Sequence, residues 1–183
     1  SGTFTYSGND ISYGGSDLTL GGVDYQPDTT VDGGSVVTLN GASTFDAITI
    51  DGDGSEFDVA GSTLTLGGNV IVDDGGGATS VLTVASAGSI SGGSYDLTVN
   101  ADGELASSGS ITVAAFSSSG TVTNPAANSI TAGGSVMIGG TFSNPTNNSL
   151  TMTGGGTTLN TATAIGNLII GGSGDVEVAT NDL

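Results

Sequence analysis

The chain has no lysine, arginine, histidine or cysteine, although 18 of its 183 residues are aspartate or glutamate. Nucleic-acid binding draws most of its affinity from lysine and arginine at phosphates, so DNA and RNA are excluded as partners. The same absence removes the attraction to anionic membranes, and no apolar run approaches the ~20 residues of a spanning helix. We therefore expect no membrane insertion.

The missing side chains also exclude most catalytic chemistry. A Ser-His-Asp triad cannot form without histidine, and only carboxylates, hydroxyls and tyrosines remain for proton transfer or nucleophilic attack. Paired carboxylates, as in glycoside hydrolysis, are the one formal possibility left. The sequence therefore predicts a protein that is not an enzyme and requires no cofactor.

Glycine and short alternating segments dominate what is present. The chain holds 34 glycines, and 36% of its residues are hydrophobic. Segments such as "SVVTL", "AITI" and "TLTL" place valine, isoleucine, leucine and threonine in the alternation typical of strands, and no window has helical periodicity. The predicted fold class is all-β.

One internal repeat is clear. Residues 120–134, "GTVTNPAANSITAGG", are matched without a gap twenty residues later by residues 140–154, "GTFSNPTNNSLTMTG". At two positions the two copies of the repeat exchange one apolar residue for another, as burial in a core requires. This predicts that these four residues point inward. These are Val122, Phe142, Ile130 and Leu150.

The turn chemistry repeats at the same place in both units. Asn-Pro pairs predict a turn, and an asparagine before the next strand occupies one register position, where stacked amides can form a ladder. The residues concerned are Asn124, Pro125, Asn128, Asn144, Pro145 and Asn148. A further echo, "SDLTLGG" at 16–22 and "STLTLGG" at 62–68, does not fit a twenty-residue step.

A unit of about twenty residues holds three short strands and their turns, which is about one coil of a parallel β-solenoid. A β-sandwich or jelly roll is the alternative, since it also has many short strands. The ungapped repeat favours the solenoid. We expect residues 1–183 to form a single β-repeat domain, a mature or excised part of a longer repeat protein, because the chain begins with Ser1 and stops within a repeat.

The segment "DGDGSEFD" is the densest group of acidic residues. Oxygen donors at alternate positions, separated by flexible glycines, can wrap a hard cation, which predicts a calcium site. Its candidate ligands are Asp51, Asp53, Glu56 and Asp58. An EF-hand is excluded because Glu56 stands where that loop needs glycine, and a solvated acidic turn is the other interpretation.

The runs "LTLGGNVIV" and "SLTMTGGGTTLNTATAIGNLIIGGSGDVEVAT" resemble those of bacterial β-strand-repeat surface proteins, of the filamentous-haemagglutinin and autotransporter-passenger type. The resemblance implies an elongated right-handed parallel β-helix, which is exported and serves in adhesion or as a structural fibre. It implies no catalytic residues.

Three functions are hypotheses at this point. The first is an extracellular or cell-surface structural protein, whose copies stack through their strand edges into a filament or sheath. The second is an adhesin stalk that binds host or substrate surfaces, with surface glycans as possible partners. The third is ice binding, since "TFT", "TVT" and "LTMT" could array threonines on one face. Against ice binding, the threonine pairs do not recur at every twenty-residue step.

Overall fold

The structure is a computed structural model that describes residues 3–7, 10–14, 18–21, 24–25, 28–52, 54–73, 78–123, 129–154, 157–159, 165–170 and 176–178. Side chains are described for residues 18–21, 28–52, 54–73, 78–123, 129–142, 150–151 and 153–154. In these parts of the chain the secondary structure is strand and turn, without helix, so no helix there has the length and apolarity to cross a membrane.

Short strands follow one another along the whole described chain. The first twelve are β1 Thr3–Ser7, β2 Asp10–Gly14, β3 Leu18–Leu20, β4 Asp24–Tyr25, β5 Asp28–Asp32, β6 Val36–Leu39, β7 Ser43–Phe45, β8 Ile48–Ile50, β9 Glu56–Asp58, β10 Thr63–Leu66, β11 Val70–Val72 and β12 Ser80–Val84. The others are β13 Ser89–Gly92, β14 Leu97–Val99, β15 Gly103–Ser107, β16 Ser110–Val113, β17 Phe116–Ser118, β18 Thr121–Thr123, β19 Ser129–Ala132, β20 Val136–Ile138, β21 Thr141–Met152, β22 Thr157–Leu159, β23 Ile165–Ile170 and β24 Val176–Val178.

The strands stack into three parallel sheets, and each coil adds one strand to each sheet in turn. Sheet A has the order β1-β2-β5-β8-β11-β14-β17-β20-β22-β24, and only its β1–β2 pair is antiparallel. Sheet B runs from β3 through β6, β9, β12, β15 and β18 to β21. Sheet C runs from β4 through β7, β10, β13, β16, β19 and β21 to β23. The predicted parallel β-solenoid is confirmed, with about 6 turns and coils about 20 residues apart, so the β-sandwich alternative is wrong.

Coil length varies more than the repeat in the sequence indicates. The coil that leads from Val70 to its register partner Leu97 is much longer than the coil that leads from Glu104 to its partner Thr121. The strands nevertheless stay in register, because extra residues are accommodated in the turns and each ladder satisfies the backbone amides and carbonyls of its neighbours. The repeat is therefore regular in space and irregular in sequence.

The core is a set of apolar columns inside the three sheets. Alternation along each short strand turns one or two residues inward, and parallel register places them above the inward residues of the neighbouring coil. On sheet C, for example, Leu64, Ile90, Ile111, Ile130 and Leu150 form one column, each at most 2% exposed. Burying each such side chain stabilises the fold by roughly 1.5–3 kcal/mol. The core is thus continuous from coil to coil.

The corner that leads into sheet B uses small residues in place of apolar ones. The inward column there begins with serines, whose hydroxyls bond to the adjacent turns: Ser35 donates to the Asp32 carbonyl at 2.7 Å and Ser80 to the Gly52 carbonyl at 3.0 Å. Glycines continue the column, and a Cβ on Gly120 or Gly140 would collide with a carbonyl oxygen of the coil before it. The complete column is Ser35, Ser55, Ser80, Gly103, Gly120 and Gly140.

Candidate functional site

Two columns of serine and threonine side chains cover the outer side of sheet C. The strands β10, β13, β16 and β19 each turn two residues outward, β7 turns one, and the register stacks them coil upon coil. One column consists of Thr44, Thr65, Ser91, Thr112, Thr131 and Thr151, and the other of Thr63, Ser89, Ser110 and Ser129. All are exposed or half-buried. We call these residues the hydroxyl face.

The spacing of the hydroxyl face follows from the sheet itself. Neighbours in a column lie one coil apart, about 4.8 Å, and the two columns lie two residues apart along a strand, about 6.6 Å. The Ser89 hydroxyl donates to Thr63 Oγ1 at 3.2 Å, so at this pair of coils two hydroxyls of one column are hydrogen-bonded to each other. At the ends of the columns, Asp24 is the register partner of Thr44, and Ser149 is that of Ser129.

The outer sides of the other two sheets lack this uniformity. On sheet B, carboxylates and apolar residues interrupt the columns, as in the register series Glu56, Val81 and Glu104. On sheet A, the central column includes Ile71 and Met137, which are 38% and 57% exposed. Of the described outer surfaces, only that of sheet C carries hydroxyls at every position of two columns from β10 to β19.

Three aspartates lie at the ends of strands in sheet A on three successive coils: Asp32 is the last residue of β5, and Asp51 and Asp73 directly follow β8 and β11. Asp51 donates its backbone N–H to the Val31 carbonyl at 2.8 Å, and Asp73 donates to the Ile50 carbonyl at 3.0 Å. These bonds continue the parallel ladder beyond its last paired residues, which places Asp32, Asp51 and Asp73 above one another at about 4.8 Å per coil. No lysine, arginine or histidine exists in the chain to offset their charges.

The predicted calcium ligands are divided between two sheets. Asp51 follows β8 in sheet A, whereas Glu56 and Asp58 lie in β9 of sheet B; Asp53 lies outside the described residues. Glu56 Oε1 accepts a hydrogen bond from the Thr83 hydroxyl at 2.6 Å, and Asp58 Oδ1 accepts one from the Ala60 amide at 2.7 Å. Within the described residues no three acidic side chains are grouped closely enough to hold a metal ion. The calcium site stays a prediction.

The residues of the internal repeat occupy equivalent places. Val122 is the register partner of Phe142 in sheet B, and Ile130 is that of Leu150 in sheet C; all four are at most 1% exposed. Among the predicted turn residues, Asn124, Pro125 and Asn128 lie outside the described residues. The backbone of Asn144, Pro145 and Asn148 belongs to β21, between the end that pairs in sheet B and the end that pairs in sheet C.

No known family matches this chain. The comparison with family models found none, and the comparisons with curated proteins and with solved structures found no match. The function of the chain is therefore inferred from the geometry of the solenoid and of its outer faces.

Sequence reasoning proposed a threonine face but did not identify the hydroxyl face, because the segments it chose lie on three sheets: "TFT" in β1 of sheet A, "TVT" in β18 of sheet B, and "LTMT" at the end of β21 that pairs in sheet C. The members of the hydroxyl face are separated by unequal steps along the chain, since the step from Thr65 to Ser91 is clearly longer than the step from Thr112 to Thr131. A search of the sequence at a fixed step of twenty residues therefore compares positions that do not lie in the same column. The usable signal is the alternating Ser/Thr pair around a buried aliphatic residue, as in "TLT", "SIS" and "SIT", whatever the distance to the next one.

Proposed function

We propose that the protein is a non-catalytic structural solenoid of the cell surface or extracellular space, and that its copies stack into a filament or sheath. The observation that carries the proposal is the repetition of one stacking surface. From β2 to β21 each coil meets the next through the same three parallel strand pairs, above the same apolar columns, and only β1 pairs antiparallel. The coil edge at one end of a copy can therefore pair with the coil edge at the other end of the next copy.

The chemistry of the columns supports stacking without partner-specific contacts. Where side chains are described, the inward residues are aliphatic, phenylalanine, serine, threonine or glycine, and the carboxylates are exposed or half-buried. Adding a coil from another copy therefore buries apolar surface and completes backbone hydrogen bonds, and it brings no charge into the core. Repulsion between net charges of −18 opposes the process, and salt screens that repulsion.

Electron microscopy of the purified chain over a salt series tests the proposal. One chain of about 6 turns, at about 4.8 Å per coil, is a rod about 30 Å long. We expect fibres many times longer than this, formed more readily at high salt, and expect fragments of those fibres to seed fresh protein. Isolated rods at every salt concentration would contradict stacking and favour the adhesin stalk, the second hypothesis.

A further inference from the structure

We propose that the hydroxyl face of sheet C binds ice. This function is independent of filament formation, because it uses an outer side of the solenoid and not the coil edges through which copies would stack. Three properties of the face support it: its composition, its spacing and its freedom from charge.

The hydroxyls give the face a high hydrogen-bonding capacity. A serine or threonine hydroxyl donates one hydrogen bond and accepts two, so it can replace a water molecule in either role. Every described outward position of the two columns from β10 to β19 has such a group, including Thr63, Ser89 and Ser110 in one column. The face thus presents to water the same kinds of hydrogen-bond donor and acceptor that another water molecule presents.

The hydroxyls are also regularly spaced. Parallel register repeats them at about 4.8 Å along the columns and about 6.6 Å between the columns. Water molecules in ice are likewise held on a lattice, so a rigid periodic array can bind many of them at once. The apolar column beneath the face fixes the outward backbone positions to this repeat, and at one pair the Ser89 and Thr63 hydroxyls turn toward each other and form a 3.2 Å hydrogen bond. An array that is already ordered loses little entropy on binding.

Charge is absent from the described part of the face. The chain carries 18 carboxylates, and among the described outer columns they occur on sheet A, as at Asp28 and Asp32, and on sheet B, as at Glu56 and Glu104. The described side chains of the two sheet C columns are uncharged from Thr44 to Thr151, and Asp24 is the register partner at one end. A charged group organises water around itself and not on a lattice, so its exclusion from one face favours lattice water as the ligand.

The same composition disfavours other occupants of this face. Sugar-binding surfaces use aromatic rings that stack on the sugar, and the described outward residues of the two columns include none. A protein interface has an apolar, aromatic-rich centre, which serine and threonine do not provide. A second copy would have to pair two hydroxyl surfaces that water already satisfies.

The test compares two bulky substitutions on different sheets. Thr112→Tyr places a large ring in the middle of the hydroxyl face, and Thr98→Tyr places the same ring at an outward position of sheet A. Thr112→Ser keeps the hydroxyl. Circular dichroism establishes that each variant is folded. Thermal hysteresis, the gap between the melting and growth temperatures of an ice crystal, and inhibition of ice recrystallisation are the measurements.

We expect the natural chain to show thermal hysteresis, Thr112→Tyr to lose most of it, and Thr98→Tyr and Thr112→Ser to keep it. A folded natural chain without either activity would overturn the proposal, and so would an equal loss in Thr112→Tyr and Thr98→Tyr. Retention on insoluble cellulose, abolished by Thr112→Tyr and without any effect on ice, would also overturn it and assign the face to a glycan surface.

Discussion

The rings of Phe45 and Phe57 meet edge to face across the core, with centroids 5.3 Å apart and planes at 89°. Phe45 comes from sheet C and Phe57 from the strand of sheet B that follows on the next coil, so the contact joins two sheets as well as two coils. Both side chains are at most 1% exposed. The pair therefore packs two sheets and two coils against each other at this point of the core.

Mutation of these rings is the first prediction. Phe57→Ala leaves a large cavity and should lower the free energy of unfolding by about 3–5 kcal/mol. A double-mutant cycle with Phe45→Leu and Phe57→Leu should give a coupling energy of about 0.5–1.5 kcal/mol, because the edge-to-face contact is lost in either single variant. Urea denaturation measures both quantities. Additive single effects would mean that the ring geometry contributes nothing beyond burial.

Two adjacent glycines give the second prediction. A Cβ on Gly140 would collide with the carbonyl oxygen of Gly120, whereas a Cβ on Gly139 would lie 3.9 Å from the Ser118 carbonyl oxygen, an ordinary contact. Gly140→Ala should therefore destabilise the fold by about 1–3 kcal/mol or more through overpacking. Gly139→Ala is the matched control, with an expected change of less than about 1 kcal/mol. Equal melting temperatures for the two variants would contradict the close approach of the coils at this corner.

The third prediction concerns a buried hydroxyl. Thr29 is 5% exposed, points into an apolar column above Ile48, and its Oγ1 has no hydrogen-bond partner among the described residues. A buried polar group without a partner costs roughly 1–3 kcal/mol. Thr29→Val keeps the shape and removes that cost, so it should raise the free energy of unfolding by about 1 kcal/mol. Thr29→Ser is the control: it keeps the hydroxyl, loses a buried methyl group and should destabilise the fold. Urea denaturation measures these changes. A loss of stability in Thr29→Val would show that the hydroxyl has a hydrogen-bond partner in solution.

The fold could be predicted from the sequence because its two signals are local. Alternation within four-residue segments indicates strands, and the ungapped repeat at 120–154 indicates stacked coils of equal length. Val122 and Phe142, chosen from that repeat, lie in one buried column. Where coils keep their length, the sequence alone therefore predicts the register.

The register could not be predicted where coil length changes. Residues 18–20 and 64–66 both spell "LTL", yet the first belong to sheet B and the second to sheet C. Every strand of a solenoid meets the same demands, an apolar side inward and a polar side outward, so similar segments arise on different sheets. The hydroxyl face could not be recognised in the sequence for this reason. The sheet to which a strand belongs is decided by the strands it pairs with in the neighbouring coils, and its own residues do not specify it.

The last prediction distinguishes the two interpretations of the acidic segment "DGDGSEFD" by whether one mutation raises or lowers the melting temperature. Asp51 lies between Asp32 and Asp73 on successive coils, at about 4.8 Å per coil, with no basic side chain in the protein to offset the charges. If the segment is a solvated acidic turn, Asp51→Asn removes repulsion and should raise the melting temperature at low salt, with the gain shrinking as salt screens the charges. If it is a calcium site, Asp51→Asn should lower the melting temperature in calcium, and EDTA should lower that of the natural chain. Melting curves at low salt, with calcium and with EDTA, decide between them: no response to EDTA together with a stabilising Asp51→Asn would leave the calcium prediction without support.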